Sequence, residues 1–138
     1  MSRPVAPPSG FPPPGSATLG GRRIALLPLA EEIADRYFAE FPEDFDRYGA
    51  AARAWGVHDT CHCLHWAILD AEGYASLEKE VGWLTGVLGA RGFPLEKLAR
   101  NLELAAAVVE ERIPSAALVA GRLHAAATSV RVSSDPPA

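Results

Sequence analysis

The chain has few cysteines, no long hydrophobic run and no signal peptide, and each absence argues against a class of protein. Cys61 and Cys63 are its two cysteines, and in a helix their side chains point about 200° apart. We therefore expect reduced thiols and no disulfide-bonded secreted domain. No apolar run approaches the ~18 residues of a membrane span, and the N-terminus lacks the charged-then-apolar layout of a signal peptide. These features predict no membrane association and a cytoplasmic location.

The chain also lacks a basic stripe. Its 13 basic and 17 acidic residues give a net charge of −4, and the basic ones are scattered. Binding to nucleic acid normally needs clustered positive charge, so we expect no nucleic-acid partner. A protein partner or a second copy of the chain is the expected kind of assembly.

The length and composition of the chain indicate one packed helical domain. The chain has 138 residues, of which 49% are hydrophobic. Alanine and leucine dominate the middle of the sequence and β-branched residues are sparse there, which favours helices over strands. We expect a Pro-rich flexible arm over residues 1–22, a helical bundle over 23–130 and a flexible tail over 131–138.

Apolar residues at helical spacing mark five segments between the arm and the tail. Short connections between such segments favour antiparallel neighbours. The predicted fold is therefore an all-α, up-and-down bundle of four to five helices. Gly49 and Gly56 leave open whether the second segment is one bent helix or two. The five segments are residues 27–41, 43–72, 75–91, 95–112 and 115–130.

The densest chemistry lies in the second segment, where three histidines and both cysteines fall within eight residues. His58, Cys61, His62 and His65 share one face of a helix. Imidazole and thiolate are usual ligands for zinc and iron, so these four residues are the predicted metal ligands. His58 and His65 would lie ~10.5 Å apart along the axis, so one ion is not expected to take both.

Aromatic residues flank the same helix face and suggest a second kind of ligand. His62, His65, Trp55 and Trp66 could form a pocket for a flat cofactor such as a haem-like tetrapyrrole. The alternative is that the tryptophans anchor the core and that the histidines are ordinary core or boundary residues with satisfied hydrogen bonds.

Three catalytic readings are weaker, and we assign no catalytic residue. His58-Asp59-x-x-His62 is one methylene short of the zinc-protease pattern, and no third ligand motif follows it. Cys61 and His65 could touch across one helical turn, but no oxyanion hole or orienting group is recognisable. The Glu-x-x-His pairs of di-iron bundles are absent.

Several short motifs between about residues 31 and 113 resemble a helical-bundle module of bacterial regulatory proteins, found alongside cobalamin-binding domains. The resemblance implies a sensory role, with Asp59 and His62 as positions to test. The Asp-x-His-x-x-Gly signature of cobalamin binding is missing, so cobalamin is not implied for this chain. The matching motifs are Arg47-Tyr48-Gly49, Val57-x-Asp59-x-x-His62, Trp83-Leu84, Arg91-Gly92 and Asn101-x-Glu103.

Taken together, these observations predict a non-enzymatic sensory module that holds a metal or tetrapyrrole-like ligand beside the His/Cys face and signals to a partner. A small metal-dependent enzyme, with His58 and His62 as ligands and one position open to water, is the first alternative. A protein-interaction or dimerisation module without a ligand is the second.

Overall fold

A computed structural model describes residues 12–134, which form six helices and one two-stranded sheet. The mostly helical class is confirmed, whereas the sheet was not predicted. The up-and-down order of the helices stays a prediction. Residues 1–11 of the expected arm and 135–138 of the expected tail lie outside the described residues. The elements are β1 (Ser16–Leu19), β2 (Arg22–Ala25), α1 (Leu26–Glu40), α2 (Pro42–Tyr48), α3 (Ala50–Ala71), α4 (Leu77–Ala90), α5 (Leu95–Arg112) and α6 (Ala117–Ser134).

The sheet is an antiparallel hairpin that begins in the stretch expected to be a flexible arm, residues 1–22, and continues to Ala25. Gly20 and Gly21 form its turn with φ of 57° and 77°, a backbone region that glycine adopts without steric cost. The Gly20 N–H donates to Glu72 Oε1 at 2.8 Å, and Ile24 is buried in the core. The hairpin is thereby fixed beside the C-terminal end of α3.

The second predicted segment is two helices, and Gly49 separates them. Pro42 opens α2 at a position where its missing N–H is not needed. Gly49 ends α2 with φ 72° and ψ −159°, and its N–H donates to the Phe45 carbonyl oxygen at 2.8 Å. Gly56, the other candidate break, lies inside α3. The short α2 is therefore a separate helix from the long α3, which carries three of the histidines.

The α3–α4 and α4–α5 connections are short and locally specified. Gly73 and Gly92 have φ of 85° and 77° after α3 and α4, as helix C-termini often require. Ser76 caps α4, because its hydroxyl oxygen accepts the Lys79 N–H at 3.2 Å. The Asp70 carboxylate accepts the Leu77 N–H at 2.8 Å and so ties the end of α3 to the start of α4.

The core is aliphatic, and α5 contributes to it through contacts with α1, α3, α4 and α6. Helix α6 continues to Ser134, past residue 130 where we expected the bundle to end. Arg131 explains the extension, because its guanidinium meets the Glu103 carboxylate at 2.7 and 2.9 Å. Among residues 12–134, no helix has both the length and the apolar character that a membrane crossing requires. Fully buried core side chains include Leu26, Ile33, Leu64, Leu84, Leu102 and Leu123.

Candidate functional site

Helix α3 places two of the histidines side by side on one half-buried row. The His58 and His62 ring centroids are 4.8 Å apart, and the His62 ring lies 5.6 Å from that of Trp66. This is the i, i+4 neighbourhood expected on a helix. His58 Nδ1 also lies 3.1 Å from Asp59 Oδ1. The structure thus brings together the His58–His62 pair that the sequence singled out.

The two cysteines lie in the core rather than beside this row. Cys61 is 1% exposed and Cys63 is 2% exposed, and both are free thiols. Burial, together with the nearby Glu31 carboxylate, raises the pKa of Cys61 to about 11. Burial raises the pKa of Cys63 as well. Both sulfurs are therefore protonated near neutral pH, and a metal would have to displace the proton to bind either one.

His65 is half-buried one turn beyond Cys61, and burial lowers its pKa because the charged imidazolium is less well solvated there. Across residues 12–134, no three or more His, Cys, Asp or Glu side chains form a group that could hold a metal ion. The predicted four-residue metal site stays a prediction. Of its four residues, His58 and His62 are the pair whose rings lie in contact.

A cavity of about 480 Å³ lies on an adjacent face of α3. Helices α1, α2, α3, α4 and α5 and the α4–α5 connection all contribute to its lining. Among the predicted site residues, Trp55 lines the cavity, whereas His58, Cys61, His62, His65 and Trp66 do not. The cavity and the histidine row are therefore neighbouring but separate features.

The walls of the cavity are aromatic and aliphatic. Phe38 stands edge-on to Tyr37 with ring centroids 5.2 Å apart, and both line the cavity from α1. Trp55 faces it from α3, and Phe93 from the α4–α5 connection. Small residues leave the space open, because Ala51, Ala52 and Gly56 occupy the adjacent positions of α3.

A buried carboxylate, Asp44, lines the cavity from α2. Asp44 is 5% exposed, and it accepts hydrogen bonds from Tyr37 Oη at 2.5 Å and Lys97 Nζ at 2.7 Å. The Asp44 bond raises the pKa of Lys97, whose ammonium also lies 3.4 Å from Glu43 Oε1. This arrangement, the Asp44 latch, joins α1, α2 and α5.

A second polar group lies where α3 meets α5. Asn101 Nδ2 donates to the hydroxyl oxygen of Thr60 at 3.0 Å, and Thr60 is buried. Asp59, the next residue along α3, also lines the cavity. Burial raises the pKa of Asp59 even though His58 and Arg91 favour its charged form. The cavity therefore contains hydrogen-bonding groups as well as apolar walls.

The stripe of α3 that carries the predicted metal ligands is not the stripe that lines this cavity. The spacing of the histidines and Cys61 selects residues 58, 61, 62 and 65, whereas the cavity is lined from the same helix by residues 51, 52, 55, 56, 59, 60 and 63. The signal that could have found it is a local shortage of side-chain volume, with Ala51, Ala52 and Gly56 around Trp55. Arg47, Asp59, Arg91 and Asn101 belong to the short motifs of the sequence, and all four line the cavity.

No family model, curated protein or solved structure matches this chain. The resemblance to a regulatory bundle module stays a prediction, and the site must be interpreted from its own residues.

Proposed function

We propose that this chain is a non-enzymatic ligand-binding module that holds a small organic molecule in the cavity beside α3 and signals its presence to a partner. The observation that carries the proposal is the cavity of about 480 Å³. Pockets for small molecules are typically ~300–1,000 Å³, mostly apolar, with a few well-placed polar groups. The aromatic walls, the Asp44 latch and the Thr60–Asn101 pair fit that description.

The geometry also supports a route from ligand to partner. Asp44 and Arg47 line the cavity from α2, and α2 is joined to α3 through Gly49. A ligand that contacts α2 changes the balance between its docked and undocked positions, because ligands shift populations in proportion to their differential contacts. In this proposal the helices form an up-and-down bundle, and the partner recognises a change in the outer surface of α2. That surface includes the exposed Phe45 ring.

The main test compares two substitutions on one helix. Ala52 lines the cavity, whereas Ala54 is exposed on the same helix. A neutral aromatic probe, 2-naphthylmethanol, is titrated into the wild-type protein and both variants by calorimetry. We expect sub-millimolar binding to the wild type and to Ala54→Phe, and at least tenfold weaker binding to Ala52→Phe, whose ring occupies the cavity. Equal binding to all three proteins, or no binding to the wild type, contradicts the proposal.

A second candidate is the metal or tetrapyrrole site predicted from the sequence, and the His58–His62 contact favours it. These two rings could supply two ligands to zinc or iron, with the others coming from water or a partner chain. A tetrapyrrole would need one of them as an axial ligand. Metal analysis and a visible spectrum of the purified protein test this candidate. Stoichiometric metal or a Soret band that is lost in the His58→Ala, His62→Ala double variant supports it, and a metal-free, colourless protein contradicts it.

A further inference from the structure

A carboxamide side chain stands among the walls of the cavity. Asn101 is the single asparagine of the chain, which has no glutamine, and it lines the cavity from the interior of α5. Asparagine is one of the weaker helix formers, because its side chain competes for backbone hydrogen bonds. The stability of α5 itself therefore does not explain an asparagine at this position.

The protein uses only part of the hydrogen-bonding capacity of Asn101. The side chain is partly buried, and its Nδ2 donates to Thr60 Oγ1 at 3.0 Å. Among residues 12–134, Thr60 is the one hydrogen-bond partner of this side chain. A primary amide has two N–H donors and a carbonyl oxygen that accepts. One N–H and the carbonyl oxygen are therefore available to a ligand, while the bond to buried Thr60 restrains the plane of the amide.

The carboxylates that line the cavity already have partners. Asp44 accepts from Lys97 Nζ at 2.7 Å and from Tyr37 Oη at 2.5 Å. Asp59 Oδ1 lies 3.1 Å from His58 Nδ1. A cationic ligand would have to compete with these partners for either carboxylate.

The guanidinium groups that line the cavity are engaged as well. Arg91 lies over the face of the Trp55 ring, 5.6 Å from its centroid. Arg47 and Arg91 each have further interaction partners within the protein. An anionic ligand would therefore also compete with contacts that are in place, and a charge that enters a partly apolar space without a new partner loses its hydration.

We infer that the ligand is an uncharged, flat aromatic molecule with a hydrogen-bond donor beside an acceptor, and that Asn101 binds this polar edge. This inference rests on the proposed function and names the chemical class of its ligand. The rings of Trp55, Phe38 and Phe93 supply the apolar contact. The donor and acceptor of the Asn101 amide lie in one plane, which suits the planar edge of an aromatic amide or a lactam.

The test keeps the naphthalene ring constant and changes a substituent of nearly constant shape. The probes are 2-naphthamide, 2-acetylnaphthalene and 2-naphthoate, titrated into the intact chain at pH 7 by calorimetry. The ketone has CH₃ in place of the amide NH₂, so it leaves the Asn101 oxygen without a donor. We expect the amide to bind about fivefold tighter than the ketone, and the carboxylate to bind most weakly because its charge is desolvated.

Asn101→Leu separates recognition of the amide from binding of the ring. It replaces the carboxamide by an apolar group of similar size, so the preference for the amide should disappear and the ketone should bind at least as tightly as it does to the wild type. Loss of folding cannot imitate retained binding of the ketone. Thr85→Val, which removes a hydroxyl of α4 that does not line the cavity, should keep the wild-type preference.

The outcomes distinguish this inference from the proposed function. If the ketone or the carboxylate binds the wild type as tightly as the amide does, the inference is overturned while the proposed function stands. The same holds if Asn101→Leu keeps the preference for the amide. If none of the three probes binds the wild type, the proposed function fails and the inference fails with it.

Discussion

Asp59 is a carboxyl of the proposed site whose surroundings disfavour its charged form. Burial is the largest cause of its raised pKa, and the contact with His58 opposes the shift. The folded protein therefore holds this proton to a higher pH than the unfolded chain does. Between the ordinary value of about 4 and the raised value, the folded state binds more protons, so this group makes the protein less stable as pH rises through that interval.

Asp59→Asn should consequently raise the melting temperature, because an amide carries no charge to desolvate. We expect the gain to be present at pH 7–8 and to shrink as the pH is lowered towards 4. Asp46→Asn, at an exposed position of α2, is the matched control and should change little at any pH. Thermal unfolding of both variants across this pH range gives the comparison. A destabilised Asp59→Asn protein at pH 8 would show that the ionised carboxyl is needed for folding.

Cys61 and Cys63 should be slow to react in the folded protein. The pKa of Cys61 is about 11, so its thiolate fraction at pH 8 is roughly a hundredfold below that of a free cysteine. Burial of the sulfurs slows reagents further. Labelling with an aromatic disulfide reagent should be very slow in buffer and complete within minutes in denaturant. Rapid labelling of the folded chain would mean that the thiols are activated or exposed.

A buried polar contact at Asp44 joins the short helix α2 to α1 and α5. The seven residues of α2 bury Asp44, and Lys97 and Tyr37 satisfy that carboxylate. Replacing Lys97 by Met should cost about 1–3 kcal/mol of unfolding free energy, because a largely buried carboxylate loses its charged partner. Lys79→Met, at an exposed position of α4, should change stability by less than about 0.5 kcal/mol. Denaturant unfolding of the two variants measures the difference, and equal losses would contradict the role of the Asp44 latch.

The junction between α2 and α3 depends on the backbone of Gly49. With φ at 72° and ψ at −159°, it occupies a region that is strained for any other residue. Gly49→Ala should destabilise the protein by about 1 kcal/mol or more. Gly82→Ala is the opposite case, because a methyl group there meets no atom within 4 Å and Gly82 lies inside α4. Gly82→Ala should raise the free energy of unfolding by about 0.5–1 kcal/mol. Denaturant unfolding of both variants measures the two changes, and changes of the same sign would contradict this account.

Helical periodicity predicted the long elements well, because each buries a continuous apolar stripe. The expected segments 95–112 and 27–41 correspond to α5 (Leu95–Arg112) and α1 (Leu26–Glu40). The hairpin was missed because four-residue strands carry too little pattern to detect. Its one strong signal was Gly20–Gly21, a pair that suits a two-residue hairpin turn.

For the molecule as a whole, the candidate site is a product of tertiary packing. Residues 44, 55, 91 and 101 are far apart in sequence, and five helices bring them to one cavity. The spacing of residues along the sequence does not predict that these four residues lie at one cavity. The histidine row, by contrast, arises within one helix and could be found from spacing alone. Spacing along the sequence therefore predicts the histidine row of α3, whereas the candidate cavity on the adjacent face of that helix follows only from tertiary packing.

The central claim, that the cavity beside α3 holds a ligand, can be tested through the three tryptophans. Trp55 lines the cavity, Trp66 lies beside His62, and Trp83 is 48% exposed on α4. Each indole N–H gives its own signal in a ¹⁵N–¹H NMR spectrum, and single Trp→Phe variants assign the three signals. During a titration with 2-naphthylmethanol, we predict that the Trp55 signal moves and saturates while the Trp83 signal stays in place. A titration that moves Trp83 or Trp66 and leaves Trp55 unchanged would contradict the account.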